Sequence, residues 1–307
     1  MRRILFHISL LLLSASIKGQ NTDSIITLQS LHQTISALAH DSMKGRSTGS
    51  LSMLYSAEYI AGRLKEAGVK PIAGNDGYFS YFEINNIRPY LKKAIGGINV
   101  MGAIKGKISP DTMVIFSAHY DHIGYMDFEN GNDTIYNGAN DDASGIATLI
   151  ELSKYYKLKD NNRYSLVFVA FSGEELGLLG SHEFASTLNK KQVFAIINFD
   201  MLGRQMDENR QKAMVIGDNA HNIISKLNEQ LKRGESFFIP DQYPKEQLMS
   251  RMDHYSFSGY KNCFSIVCSS PTDKYYHTVK DEISTIDFDF LLSATRNIAK
   301  SCEYFVR

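Results

Sequence analysis

Five short segments of this 307-residue chain carry side chains that bind metal ions. His119 and Asp121 lie in SAHYDH, Asp141 and Asp142 in GANDDASG, and Glu174 and Glu175 in FSGEELG. Asp200 lies in NFDMLG and His277 in YYHTVKD. Histidine nitrogen together with carboxylate oxygen is the donor set that borderline ions such as zinc accept. Several carboxylates with more than one histidine exceed what a single four-coordinate ion needs. They suit two ions that share a bridging carboxylate.

Taken singly, an Asp or Glu is ordinarily a solvated charge and a His an ordinary core residue. The context separates this set from that class. The apolar run TMVIFSA leads into His119, YSLVFVAFS leads into Gly173-Glu174-Glu175, and VFAIINF leads into Asp200. Charges at the ends of buried strands cost free energy unless they are paired or metal-bound. In open α/β sheets, the carboxyl edge of the strands is where ligands bind. Glu174 and Glu175 are neighbours and cannot both point the same way, so one can bind metal while the other faces the reacting water.

Elements must hold these segments in register. Apolar spacing predicts helices over 28–39 and 55–67, with the loop SMKGRSTGS between them. Strands are expected over 78–84 and 98–104 and again leading into His119, followed by a polar loop over 127–137. A helix over 143–156, a strand over 164–172, a short helix over 178–186 and a strand over 193–200 come next. A strand at 213–217, a helix at 220–231, a strand at 264–268 and a closing helix at 288–305 complete the chain. Strands alternating with helices indicate a single α/β domain with a mixed, mostly parallel central sheet covered by helices on both faces.

The chain opens MRRILFHISLLLLSASIKGQ. Arg2 and Arg3 precede an apolar run over 4–17, and Gly19 offers a small residue before a cut. The segment reads as a signal peptide over 1–19, too short for a good membrane span, with the folded domain over 20–307 secreted or periplasmic. Cleavage would remove Arg2, Arg3 and Lys18 and no acid. The balance becomes 30 minus 33, or −3, from the 33 basic and 33 acidic residues of the whole chain. That leaves no basic footprint for nucleic acid or an anionic membrane surface. The three cysteines, Cys263, Cys268 and Cys302, form no disulfide framework and are read as buried thiols. No feature specifies an oligomeric state.

The ordered motifs HYDH, GANDDASG, SGEELGLLGS, NFDMLG and YHTVKD resemble those of secreted bacterial di-zinc aminopeptidases. That family also contains glutamate carboxypeptidases and, more distantly, glutaminyl cyclases. The resemblance implies a zinc-peptidase hydrolase fold, two zinc ions per chain, and peptide substrates cut at the N-terminal bond. By matching motif it implies that His119 and Asp200 bind one ion, Glu175 and His277 the other, and that Asp141 bridges them. Glu174 is implied as general base and Asp121 as the residue that orients His119. It also implies a cis peptide between Asp141 and Asp142, with Asp142 acting through hydrogen bonds.

Tyr276 is the candidate to point a phenol at the developing oxyanion. Asp253 and His254 match a family segment near the cleft, and Arg204 is a candidate anchor for a substrate carboxylate or a structural ion pair. His122 and His182 fall outside the ligand set. Three rivals follow: a carboxypeptidase, a single-zinc glutaminyl cyclase and a non-catalytic binding ectodomain. The absence of Trp counts against the cyclase, and the complete set of ligands and base counts against the ectodomain.

Overall fold

The computed structural model describes residues 22–72, 74–84, 96–126, 133–232 and 234–307. The expected signal peptide lies outside these residues, as does the stretch 127–132 of the expected polar loop. The strands are β1 (Lys70–Pro71), β2 (Phe79–Phe82), β3 (Gly97–Ile104), β4 (Ser109–His119), β5 (Gly124–Tyr125), β6 (Ile135–Tyr136), β7 (Tyr164–Phe171), β8 (Val193–Asp200), β9 (Ala213–Ile216), β10 (Phe238–Pro240) and β11 (Cys263–Val267). The helices are α1 (Thr22–Ile25), α2 (Leu28–Leu38), α3 (Leu51–Glu66), α4 (Ser144–Lys159), α5 (Leu179–Thr187), α6 (Ala220–Asn228), α7 (Phe288–Ser301) and α8 (Glu303–Val306).

One sheet runs in the order β1-β3-β7-β4-β8-β11-β9-β10, with β2 also paired to β3. The four central strands β7, β4, β8 and β11 are mutually parallel, while β3–β7 and β11–β9 are antiparallel. The mixed, mostly parallel sheet expected from the sequence is therefore present. Its central strands are apolar without alternation because both faces are covered; all of β7 beyond Tyr164 is buried. Phe116 of β4 stacks between Tyr156 of α4, Phe168 of β7 and Phe199 of β8. On the opposite face, Phe184 of α5 packs with Phe171 and Phe257.

Helix α4 is buried on nearly every side, which its sequence explains. Ile146, Leu149, Ile150 and Leu152 face the core, while small residues such as Ser144, Gly145 and Ala147 allow close approach to the loops above. In contrast, α7 has an apolar stripe of Phe290, Leu291, Ala294 and Ile298, and the Asp287 carboxylate caps its start by accepting from the Phe290 N–H.

The register places the carboxyl ends of the central strands side by side. His119 of β4 is opposite Phe171 of β7, and Asp200 of β8 is opposite Val267 of β11. From β4 the chain leaves through α4 towards β7, whereas from β8 it leaves towards β9 and β11. Between β4 and β8 the connections therefore part in opposite directions, the crevice where open α/β sheets place ligands. His119 and Asp200 stand on its two sides. Among the described residues, no helix is long and apolar enough to cross a membrane.

Candidate metal centre

The carboxyl edge of the sheet gathers all five expected ligands. Two groups of donor atoms form, His119 with Asp141 and Asp200, and Asp141 with Glu175, His277 and His122. Asp141 belongs to both. Its Oδ1 lies 3.2 Å from His119 Nε2 and its Oδ2 lies 3.2 Å from His277 Nε2, while His277 Nε2 is also 3.2 Å from Glu175 Oε2. Donors bonded at about 2.0–2.1 Å to one tetrahedral zinc ion stand about 3.3 Å apart. All three pairs match that edge, so the residues fit a pair of ions with Asp141 between them.

The local backbone holds His119. His119 is the last residue of β4, and its Nδ1 is 3.2 Å from the carbonyl of Asp121. The sequence points to the Asp121 carboxylate as the group that holds this imidazole. The structure corrects that expectation, because the carboxylate is 3.8 Å away and is engaged elsewhere. It accepts from Thr48 Oγ1 at 2.8 Å and from the Glu174 N–H at 3.2 Å. The two-residue offset puts the backbone carbonyl rather than the side chain under the ring. Asp121 thus contacts both His119, through its carbonyl, and the Glu174 N–H, through its carboxylate.

Gly173, at φ +79°, turns the chain away from β7 so that the two glutamates leave the strand end. Its N–H donates to Thr48 Oγ1 at 2.9 Å. Glu174 lines the cavity above the cluster beside His119, Asp141, Asp200 and Tyr276, and Glu175 turns towards His277.

The Asp141–Asp142 peptide is cis. The Asp142 carboxylate accepts from the N–H groups of Gly145 and Met201 at 2.9 and 3.0 Å, so it acts through hydrogen bonds as expected. The backbone N–H groups of Asn140 and Asp141 donate to the two oxygens of Asp281, both at 3.0 Å. Arg204 Nη1 donates to Asp281 Oδ1 at 2.7 Å, and its Nε pairs with Asp273. Arg204 is therefore held in buried ion pairs beneath Asp141.

Asp281 and Arg46 are supports that sequence reasoning does not reach. Arg46 is fully buried and donates to the carbonyls of Leu38, Tyr120, Asn137 and Gly138 at 2.6–3.0 Å. Asp281, four residues past His277 in YHTVKD, is open to notice as an acid beside a ligand. Arg46 carries no such signal, because the loop SMKGRSTGS reads as solvated.

The remaining candidates divide. Tyr276 stacks on His277 with centroids 3.9 Å apart, and its hydroxyl is 3.3 Å from Arg251 Nη2. It lines the cavity. His254 is buried between Ser265 Oγ and Met249 Sδ, and burial pushes its pKa down to about 4. Asp253 is fully buried, which raises its carboxyl to about 6. His182 is on the surface. His122 falls outside the ligand set expected from the sequence, yet its ring is inside the second ligand group. The cysteines are free, and burial pushes the Cys263 thiol up to about 12.

Electrostatics shows what this cluster requires. Burial raises the Asp200 carboxyl to about 7, and raises Glu174 well above the usual carboxylate range. Burial also works to raise Asp141 and Glu175, but the histidines around them win. Asp141 is held well below the carboxylate range and Glu175 falls to about 2. Burial would lower His277, but its bonds to Asp141 and Glu175 carry it up to about 10. Buried carboxylates gathered this closely call for positive charge, which a divalent ion would supply with the histidines neutral.

Residues 99–302, well over half of the chain, match the model of peptidase family M28. The chain belongs to that family. It is 37% identical over 118 residues to a probable zinc metalloprotease of Pyrenophora tritici-repentis, an alignment covering 36% of this chain and 25% of that protein. The chain thus spans about a quarter of the length of that curated relative. Among solved structures, a zinc aminopeptidase from Bacillus subtilis superposes with a TM-score of 0.70 at 17% identity, covering 92% of this chain and 96% of that one. Porphyromonas gingivalis glutaminyl cyclase superposes equally well, with a TM-score of 0.70 at 17% identity over 92% of this chain and 99% of that one. At such identities the likeness establishes the fold alone, one shared by that aminopeptidase and that cyclase.

Proposed function

We propose that this M28 peptidase is an aminopeptidase that hydrolyses the N-terminal peptide bond of peptides, using two zinc ions held by His119, Asp141, Glu175, Asp200 and His277. The observation that carries this reading is the position of Asp141, whose two oxygens each lie 3.2 Å from a different histidine. Paired zinc ions held by these residues would supply a polarised scissile carbonyl and an attacking water of lowered pKa. Glu174 takes the proton of that water and returns it to the leaving amine. Its burial, which holds the carboxyl above the usual range, favours a group that both accepts and donates a proton. Asp121 fixes Glu174 through the backbone N–H, and Tyr276 borders the reacting carbonyl.

The acidic cluster favours a free α-amine on the substrate. A carboxypeptidase would need a cation for the terminal carboxylate. Arg204 is consumed by Asp273 and Asp281, and that role would pass to Arg251, which lines the cavity beside Tyr276. Residues 1–19 are read as a signal peptide, with 20–307 as the zinc peptidase domain working outside the cytoplasm.

The test is turnover of aminoacyl reporters, N-acetylated aminoacyl reporters and peptides amidated at the C-terminus, with N-terminal glutaminyl peptides scored for cyclisation. The proposal expects hydrolysis of free-amine substrates, with or without amidation, and little with acetylated ones. Equal rates on acetylated and free substrates would overturn the aminopeptidase reading, and cyclisation without hydrolysis would replace it with an acyl transferase.

A further inference from the structure

We propose that His122 is a positioning residue for Glu175: its Nδ1–H holds one carboxylate oxygen so that the other is presented to the ion shared with His277. This rests on the two-metal reading above. Three distances separate His122 from the ligands. The donor pairs that fit a common tetrahedral ion stand 3.2 Å apart. His122 Nδ1 lies 2.8 Å from Glu175 Oε1, shorter than that edge and normal for a hydrogen bond to a charged acceptor. It lies 3.7 Å from Asp141 Oδ2, longer than the edge. A donor on an ion with Glu175 and Asp141 would stand about equally far from both. His122 instead bonds one of the ligands.

The two oxygens of Glu175 are therefore divided. Oε1 accepts from His122, and Oε2 faces His277 Nε2. Nδ1 faces a carboxylate oxygen, and the buried Nε2 meets no partner among the described residues, so we assign the hydrogen to Nδ1. In metal sites a carboxylate commonly orients a ligating histidine through its second nitrogen. Here the order is reversed, with a histidine orienting a ligating carboxylate.

The ring position is built into the backbone. Gly138 has φ +56°, and a Cβ there would stand 2.7 Å from His122 Cγ and Cδ2. The missing side chain is the space the imidazole occupies. On its other side His277 meets the ring edge-on, with centroids 5.6 Å apart.

The experiment measures zinc binding by the whole mature chain in competition with a chromophoric chelator, for wild type and for His122→Asn, His122→Gln and His122→Ala. Cobalt absorption spectra of the same proteins report the geometry of the second ion. Asn can place an amide N–H where Nδ1 stands, whereas Gln reaches the Nε2 position. The second ion should bind about 10–100-fold more weakly in His122→Ala and His122→Gln, the usual cost of losing a group that orients a ligand. The first ion should be unchanged, and His122→Asn should recover most of the loss. Wild-type affinity for both ions in His122→Ala overturns the inference. So does failure of Asn to exceed Gln, a comparison that stands even if His122→Ala does not fold. A wild-type chain that binds fewer than two ions contradicts the two-metal reading itself, and the inference with it.

Discussion

The two halves of the proposed metal centre are built differently. His119 and Asp200 are the last residues of β4 and β8, neighbouring parallel strands, and both are buried. Glu175 and His277 sit on loops; the His277 side chain is 37% exposed and its residue has φ +55°. The strand half inherits its geometry from the ladder of the sheet. The loop half depends on side-chain supports, with His122 on Glu175, Tyr276 stacked on His277, and Asp281 with Arg204 beneath Asp141. The first half should be preorganised and the second adjustable. Asp141 couples them.

The most disruptive change to that comparison is Asp141→Ala, which removes the one ligand common to both halves. Both ions should be lost and turnover should fall to background, measured by metal content and peptide hydrolysis on one sample. Retention of one tightly bound ion would mean that Asp141 serves a single half.

Next in size is Glu174→Gln, which keeps the ligands and removes the proton carrier. Turnover should drop by about two to four orders of magnitude, the scale of general acid–base catalysis, with zinc content unchanged. Glu175→Gln should instead lose zinc from the loop half and recover activity in part with excess metal. Rescue of Glu174→Gln but not of Glu175→Gln would show the two roles reversed.

A smaller effect sharpens the contrast through pH. In the metal-free protein, burial raises the strand-half carboxyl Asp200 to about 7, whereas the loop-half carboxyl Glu175 falls to about 2. Zinc must displace the proton from Asp200 but finds Glu175 already ionised. Below about pH 7, the strand half should therefore lose affinity by up to about tenfold per pH unit for the Asp200 proton. That carboxylate contributes no such loss above this range. Chelator competition between pH 5 and 8 measures it, and equal slopes for wild type and Asp200→Asn would contradict the assignment.

An effect of similar size is expected at Asp281. Asp281→Asn keeps one acceptor for the Asn140 and Asp141 N–H groups but weakens the pairing with Arg204. Affinity for zinc should fall by about 10–100-fold, and a melting curve of the metal-free protein reports the structural share separately.

The same contrast accounts for what is legible in the sequence. Strand-half residues announce themselves because a charge that ends an apolar run is costly to bury without a partner or a metal; β8 covers the expected Val193–Asp200. The long helices are legible from apolar spacing and caps, although α3 begins at Leu51, four residues before its expected start, because Ser50 caps it. The two-residue strands β1, β5 and β6 are too short to carry any periodicity, so the sequence gives no sign of them. Loop supports are illegible for a different reason. Arg46 looks like a solvated charge until its four backbone carbonyl partners, one of them 92 residues away in sequence, are assembled around it. His122 is one of two histidines in HYDH, and only the 2.8 Å bond to Glu175 separates its role from that of His119.

Metal stoichiometry tests most directly whether one aspartate joins two ion sites. The wild-type chain, stripped with chelator and titrated with zinc, should take up two ions per chain, and Asp141→Ala should retain neither at wild-type affinity. Saturation at a single ion in the wild type, or undisturbed binding of two in Asp141→Ala, would contradict it.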